Sequence, residues 1–214
     1  VIYIAGTGHS GSTLLNLIMG TAKNSFAIGE ARYLQKFSEK KEIFDNFSKK
    51  FHHRCDCGKE LQECSFWSPI IQSIKGNEFQ IGRTRKALQI IKVLLRIPFK
   101  KRRTFRAYDK MYEQMREVKG KKARIIVDSS KDIFWLMHLH ESRNINLKVI
   151  HLIRDPRATV NSHEKMLDKI PRAKRSVRLR IRYHWLRQTM LWNLSNRLTS
   201  SFLRKNISRK NRLA

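Results

Sequence analysis

The sequence lacks long apolar runs. Its longest candidates, such as Val93–Ile97, are short and interrupted by charge, whereas a membrane-spanning helix needs about 20 apolar residues. The chain also opens without a signal-peptide pattern, because Val-Ile-Tyr-Ile-Ala is typical of a core strand. We therefore expect a chain that does not span a membrane. Since it starts without Met and directly in a strand, we also expect its N-terminus to be trimmed.

Cysteine is scarce and confined to one stretch, which holds Cys55, Cys57 and Cys64. An odd number of cysteines in one cluster does not suggest a secreted disulfide framework, so we predict a reducing, cytoplasmic compartment. With His52 or His53, three thiolates could form a tetrahedral zinc site. However, the Cys-x-Cys spacing is tighter than the usual gap, and only one arm is evident. The sequence therefore favours a packing element, reduced or partly disulfide-bonded, and no metal.

Acidic residues are also few, and 17 of them against 46 Lys and Arg leave a net charge of +29. Two segments, 83–124 and 163–214, hold 26 of these charges. Such runs are usually solvated helix faces, although they could contact an anionic acceptor, a polyanion or a membrane surface. Segment 88–97 is the candidate for membrane contact. Because no motif of a nucleic-acid module is present, we predict no specific nucleic-acid partner.

The pattern of apolar residues predicts one α/β domain with a parallel, doubly wound sheet and flanking helices, because strands alternate with helices. The predicted strands are the short apolar runs 2–5, 26–28, 125–127 and 149–153. The predicted helices are a buried one over 14–20, an amphipathic one over 83–96, and others over 133–141, 158–167 and 172–205. Residues 35–122 are interpreted as an inserted region that is helical, cysteine-containing and basic.

A glycine-rich loop, Gly6-Thr7-Gly8-His9-Ser10-Gly11-Ser12-Thr13, lies between the first strand and the first helix. Backbone N–H groups in such a turn, at the positive end of a helix, form an anion site. Gly6 and Gly11 have the spacing of a nucleotide P-loop, but Ser12 replaces the lysine that reaches the β- and γ-phosphates. The loop therefore suits a 5′-phosphate with one transferable group better than a triphosphate. The alternative is a glycine turn that only packs helix on strand.

Three charged residues follow the other predicted strands. Glu30 could be a general base, Lys131 could neutralise charge on a transferred group, and Arg154 with Ser162 could hold a phosphate. Each has a simpler alternative as a surface residue, and for Arg154 this is an arginine near the helix-capping Asp155. However, ligands of open parallel sheets bind at the carboxyl ends of the strands. We therefore expect these residues and the glycine loop to line one edge.

These motifs resemble those of sulfotransferases that use 3′-phosphoadenosine 5′-phosphosulfate (PAPS). The sequence is most similar to the tyrosylprotein and bacterial branches. The resemblance is carried by the glycine loop, Gly29-Glu30, Lys131-Asp132 and the segment 154–162. It implies a P-loop-like fold and sulfonate transfer from PAPS, with 3′,5′-ADP as product. It further implies that Glu30 is the catalytic base and that Lys131 stabilises the sulfonate in transit.

By the same resemblance, eight residues bind PAPS: Gly8, His9, Ser10, Gly11, Ser12, Thr13, Arg154 and Ser162. Two departures stand out. His9 takes the place of the family's Lys or Arg, where it would also act in catalysis at the bridging oxygen. The chain ends before the family's last strand and basic glycine loop, so we expect it to lack a C-terminal part. The acceptor stays open among small molecules, carbohydrates, lipids and peptides. The alternatives are a P-loop kinase-like enzyme and a non-catalytic basic binder of nucleic acid or membrane surfaces.

Overall fold

The fold of this protein belongs to the α/β class, and its sheet is parallel throughout. A computed structural model describes residues 1–34, 55–75, 88, 90–92, 95, 106–120, 124–142, 144–155, 158, 197 and 199–203. Its strands are β1 Ile2–Gly6, β2 Ser25–Gly29, β3 Ile125–Asp128 and β4 Lys148–Leu152, in the order β2-β3-β1-β4. Every neighbouring pair runs parallel. The predicted fold class, an α/β domain with a parallel sheet and flanking helices, is confirmed.

Helices flank this sheet. The structure contains α1 Ser12–Gly20, a 3₁₀ turn at Ala31–Leu34, α2 Trp67–Ile74, α3 Arg106–Lys119 and α4 Ile133–Glu141. Helix α1 packs mainly against β2 and β3, α4 contacts β1, and α2 packs against α3. In the parts of the chain that the structure describes, no helix combines the length and the apolar content needed to cross a bilayer.

The core is centred on β1, which lies between β3 and β4. An interior parallel strand is covered on both faces, so it needs a continuous apolar run rather than alternation. This explains why Tyr3 and Ile4 are both fully buried, although they point to opposite faces. The same holds for Ile126 and Val127 of β3. The apolar runs of the sequence are therefore strands because the sheet is covered on both sides.

Helix α1 differs from the prediction of a buried apolar helix. Leu14, Leu17 and Ile18 are 65%, 56% and 58% exposed, whereas Ser12 and Asn16 are buried. Residues four apart lie on one helical face, and here that face is polar. Asn16 donates a hydrogen bond to Val127 O (2.9 Å) and accepts one from Gly29 N (3.3 Å). The prediction was wrong because hydrogen bonds to β2 and β3, rather than apolar side chains, orient this helix.

Helix α3 supplies a large share of the core from within the basic region. Tyr108, Met111, Tyr112 and Met115 are at most 2% exposed. Their spacing of three, four and seven residues places them on one face of the helix. They belong to the same cluster as the buried isoleucines of α2. The basic residues of this segment are therefore interleaved with an apolar stripe that joins the inserted region to the sheet.

Several predicted helices lie largely outside the described residues. In the 83–96 segment, residues 88 and 90–92 are helical. There Leu88 is 57% exposed while Ile90 packs against the core. Of the 158–167 helix, residue 158 is described and is helical. Of the 172–205 helix, residues 197 and 199–202 are helical, and Phe202 is fully buried.

Candidate functional site at the carboxyl ends of the strands

The loops that carry the predicted site residues leave the sheet at one edge. Gly6 at the end of β1 pairs with Leu152 of β4, and Gly29 at the end of β2 pairs with Asp128 of β3. Because Asp128 also pairs with Tyr3, the β1–β4 pair extends three residues further at this edge than the β2–β3 pair. The glycine loop, Glu30, the turn at 129–132 and Arg154 follow directly. In parallel sheets this edge is where ligands bind. Ser162, the predicted partner of Arg154, lies outside the described residues.

Two glycines shape the loop. A Cβ atom on Gly6 would lie 2.6 Å from the backbone oxygen of Leu152, so only glycine lets β1 approach β4 this closely. Gly11 is the N-cap of α1 and has a φ of 91°, in the left-handed region that favours glycine. A Cβ atom on Gly8 or Gly11 would meet no atom of the described residues within 4 Å. Among these residues the loop therefore bounds open space at the positive end of α1, as an anion site requires.

Ser10 and His9 are the central residues of this loop. The Oγ atom of Ser10 is buried and has no hydrogen-bond partner within the described part of the chain. A buried hydroxyl without a partner is costly, so its presence favours a ligand that supplies one. His9 adopts a φ of 58°, and its carbonyl oxygen accepts a hydrogen bond from Arg154 Nη1 at 2.8 Å. Arg154, two residues after the end of β4, therefore helps to hold the loop in position.

Electrostatics favour a neutral imidazole on His9. Burial, and then the charges of Lys131 and Arg154, lower the pKa of His9 below its usual 6.5. The same two cations would attract an anion, and an anion placed among them would favour the protonated imidazole. His9 thus differs from a Lys or Arg in that its charge depends on what occupies the loop.

Glu30 and Lys131 form an ion pair across the site. Lys131 Nζ lies 2.6 Å from Glu30 Oε1, and Arg32 Nη2 lies 3.1 Å from Glu30 Oε2. The lysine side chain is 10% exposed and the glutamate 25%. An ammonium group has three donors, so Lys131 can bind Glu30 and still donate to an anion. Its backbone φ of 59° is uncommon for a residue with a Cβ atom, and such conformations cluster at functional sites.

The turn that presents Lys131 is held by a buried carboxylate. Asp128 is fully buried and accepts hydrogen bonds from Ser130 N (2.7 Å), Ser130 Oγ (2.5 Å) and the hydroxyl of Tyr112. Arg32 N donates to Ser130 Oγ at 3.1 Å. These contacts join the turn after β3 to the residues after β2. They therefore set the position of Lys131 relative to Glu30.

Asp132 anchors the other end of the same turn. Its carboxylate accepts the N–H groups of Phe134 (2.8 Å) and Trp135 (3.1 Å), so it is the N-cap of α4. The Tyr3 hydroxyl bonds both backbone groups of Asp132, at 2.9 and 2.8 Å. The two residues of the Lys131-Asp132 pair thus have different roles, since Asp132 caps α4 and Lys131 contacts Glu30.

Five residues of this arrangement were missed by the sequence analysis, and they are Tyr3, Asn16, Arg32, Tyr112 and Asp128. The Asp-x-Ser pattern that begins at the last residue of β3 is a turn signal that could have identified Asp128. No local pattern could have identified Tyr112, because it comes from α3 in the inserted region. Its hydroxyl contacts Asp128 and accepts the indole N–H of Trp135 at 3.1 Å.

Burial of Asp128 predicts a specific pH dependence of stability. Burial, opposed by hydrogen bonds from Ser130 and Tyr112, raises the pKa of Asp128 from 3.8 to about 6. The folded chain then binds this proton more tightly than the unfolded chain does. The resulting stabilisation is complete below pH 3.8 and is lost as the pH rises through about 6.

As the pH rises from 3.8 through about 6, the unaltered chain should therefore lose about 3 kcal/mol of unfolding free energy relative to an Asp128→Asn variant. This figure follows from ~1.4 kcal/mol per pKa unit. Urea unfolding at a series of pH values measures the difference. Equal pH slopes for the two proteins would contradict the prediction.

The strand ends thus bring together a glycine loop, a buried hydroxyl with no partner among the described residues, the cations Lys131 and Arg154, and the carboxylate of Glu30. The loop and cations can bind a phosphate or sulfate ester, and the carboxylate can accept a proton beside it. The charge of Lys131 helps to lower the pKa of His9, which is consistent with an ion pair near the loop. No protein-family model, curated protein or solved structure matches this chain.

Proposed function

We propose that this protein is a PAPS-dependent sulfotransferase with a P-loop-like, doubly wound fold. The observation that carries the proposal is the Glu30–Lys131 pair, 2.6 Å apart beside a glycine loop without the nucleotide-binding lysine. A general base next to a cation suits the transfer of an anionic group to a hydroxyl or amine. A triphosphate with magnesium would instead call for the lysine that Ser12 replaces.

The residues of the loop fit a 5′-phosphosulfate. Among the described residues, Ser10 has a buried hydroxyl with no partner, and no atom lies within 4 Å of where a Cβ on Gly8 or Gly11 would be. Arg154 has a planar fork of donors, of which one nitrogen is bonded to His9 O. Its remaining donors can bind the 3′-phosphate. When bound there, PAPS supplies an activated sulfonate group.

The residues of this chain would divide the reaction between them. Glu30 would accept the proton of the acceptor hydroxyl or amine as that group attacks the sulfur of PAPS and the bond from sulfur to the 5′-phosphate breaks, releasing 3′,5′-ADP. Lys131 stabilises negative charge on the sulfonate, and the amides at the start of α1 stabilise charge on the phosphate. Arg32, 3.1 Å from the second oxygen of Glu30, orients the carboxylate. His9 contributes its proton only when an anion in the loop keeps the imidazole charged.

Calorimetry with 3′,5′-ADP and with ATP–magnesium tests the proposal. We expect 3′,5′-ADP to bind at least about tenfold more tightly, because only it offers a 3′-phosphate and no triphosphate. Arg154→Ala should weaken binding of 3′,5′-ADP by about tenfold or more, since hydrogen bonds to charged groups contribute about 1.5–3 kcal/mol.

Arg124→Ala is the matched control, because Arg124 is exposed and lies at the opposite end of β3. It should leave the affinity unchanged. A preference for ATP–magnesium would point to a kinase-like enzyme. Equal losses in the two variants would point to non-specific attraction by the net charge of +29.

A further inference from the structure

The three cysteines of the inserted region converge in space. The Sγ atoms of Cys55, Cys57 and Cys64 all lie within 4.8 Å of one another. Those of Cys57 and Cys64 are 3.6 Å apart. In a tetrahedral zinc site with Zn–S bonds of about 2.3 Å, the sulfurs are about 3.8 Å apart. The three thiols therefore have the spacing of ligands to one ion.

Backbone hydrogen bonds hold this arrangement. Gly58 has a φ of 83°, and its N–H donates to Cys55 O at 2.9 Å. The N–H of Cys55 donates to Lys59 O at 2.9 Å, so the chain reverses tightly around the first two cysteines. A second turn, in which Cys64 N donates to Glu60 O at 2.9 Å, brings the third cysteine back. These two turns bring the three sulfur atoms close to one another.

Hydrogen-bond donors and two further thiols surround the sulfur of Cys64. Burial raises the pKa of Cys64. Hydrogen bonds from the N–H groups of Trp67 and Phe66 and from the neighbouring thiols lower this pKa by more, so the net shift is downward. Burial and the other two cysteines raise the pKa of Cys55 to about 11. Neighbouring thiols that cannot all ionise alone can do so around a divalent cation, which replaces their protons.

We propose that Cys55, Cys57 and Cys64 bind Zn²⁺ in a structural site separate from the strand-end site. Soft thiolates select zinc over magnesium or calcium. No fourth His, Cys, Asp or Glu of the described residues joins the group. The fourth coordination position of the ion is therefore filled by a ligand from outside these three cysteines. The ion fastens the 55–64 loop to the start of α2.

This loop is coupled to the sheet through aromatic contacts. The ring of Phe66, directly before α2, meets that of Phe26 in β2 edge-on, with centroids 6.0 Å apart. Trp67 packs against Phe66 with centroids 4.7 Å apart. A zinc ion beside Cys64 would therefore stabilise the packing of the inserted region on β2. We expect its removal to lower the thermal stability of the whole chain, as structural zinc contributes directly to folding.

Metal analysis of the full chain tests the site. The protein is stripped with a chelator under reducing conditions, supplied with Zn²⁺ and freed of excess metal. It should retain about one zinc ion per chain. Co²⁺ in place of Zn²⁺ should give thiolate-to-cobalt charge-transfer bands. Cys57→Ser is the informative variant, because Cys57 is exposed and its replacement should leave the fold intact. It should lose most of the zinc and the bands.

Ser65→Ala, an exposed change directly after Cys64, is the matched control and should retain both. Circular dichroism checks that the two variants keep their helices. The proposal is overturned if the reconstituted chain retains no zinc, if Cys57→Ser retains as much as the control, or if thiol titration of the purified chain finds two of the three cysteines in a disulfide. None of these outcomes bears on 3′,5′-ADP binding.

Discussion

Replacing Glu30 by glutamine should lower the rate of sulfonate transfer about 100-fold or more, since general bases contribute 10²–10⁴-fold. Affinity for 3′,5′-ADP should change little. Glutamine keeps the shape of the side chain and can still accept hydrogen bonds from Lys131 and Arg32, but it cannot take up a proton. Initial rates with labelled PAPS and a panel of sugars, phenols, lipid headgroups and tyrosine peptides, together with calorimetry, separate the two effects.

Glu113→Gln provides the matched control, because Glu113 is an exposed glutamate of α3 on the inserted region. It should leave both the rate and the affinity unchanged. Comparable losses of rate and affinity in Glu30→Gln would instead mean that Glu30 supports the loop through Lys131. A full rate in that variant would exclude Glu30 as the base.

Replacing Lys131 by methionine should also lower the rate about 100-fold, which is typical of removing one donor that stabilises transition-state charge. Methionine has a similar length and keeps a Cβ atom, so the unusual φ of 59° is strained equally in both proteins. The loss should fall on the rate more than on affinity for 3′,5′-ADP, because that product lacks the sulfonate. The same transfer assay measures it.

Lys148→Met is the control, since Lys148 is an exposed lysine at the opposite end of the sheet, at the start of β4. The double variant with Glu30→Gln adds a second test. Residues that act as a unit show non-additive losses, so the double variant should be little slower than the slower single variant. Fully additive losses would show that the two residues act independently.

The strands could be predicted from the sequence because each is a compact apolar run followed by glycine or a polar residue. A sheet covered on both faces imposes that pattern at every interior position. The placement of the candidate residues at one edge followed from the same reasoning, since parallel strands have their carboxyl ends at the same edge of the sheet. This is why Glu30 and Lys131 could be expected together, although 101 residues separate them.

Helix α1 and the inserted region were harder to predict. The apolar residues of α1 indicated a buried helix, but Asn16 turns its polar face to the sheet by bonding Val127 and Gly29. The apolar residues of α3 from Tyr108 to Met115 have helical spacing in the sequence. Because lysines and arginines surround them, their place in the core was not predicted. Charge describes the solvated face of a helix and says little about the face that packs.

The sequence by itself determined that this is an α/β chain with a glycine-rich loop between its first strand and its first helix. Local periodicity, a glycine turn and an absent lysine are properties of neighbouring residues. Only the tertiary structure decided that Lys131 and Arg32 both meet Glu30, that Tyr112 reaches the buried Asp128, and that three thiols share one small volume. Each is a contact fixed by strand order and backbone turns, and the packing that sets these depends on the whole domain.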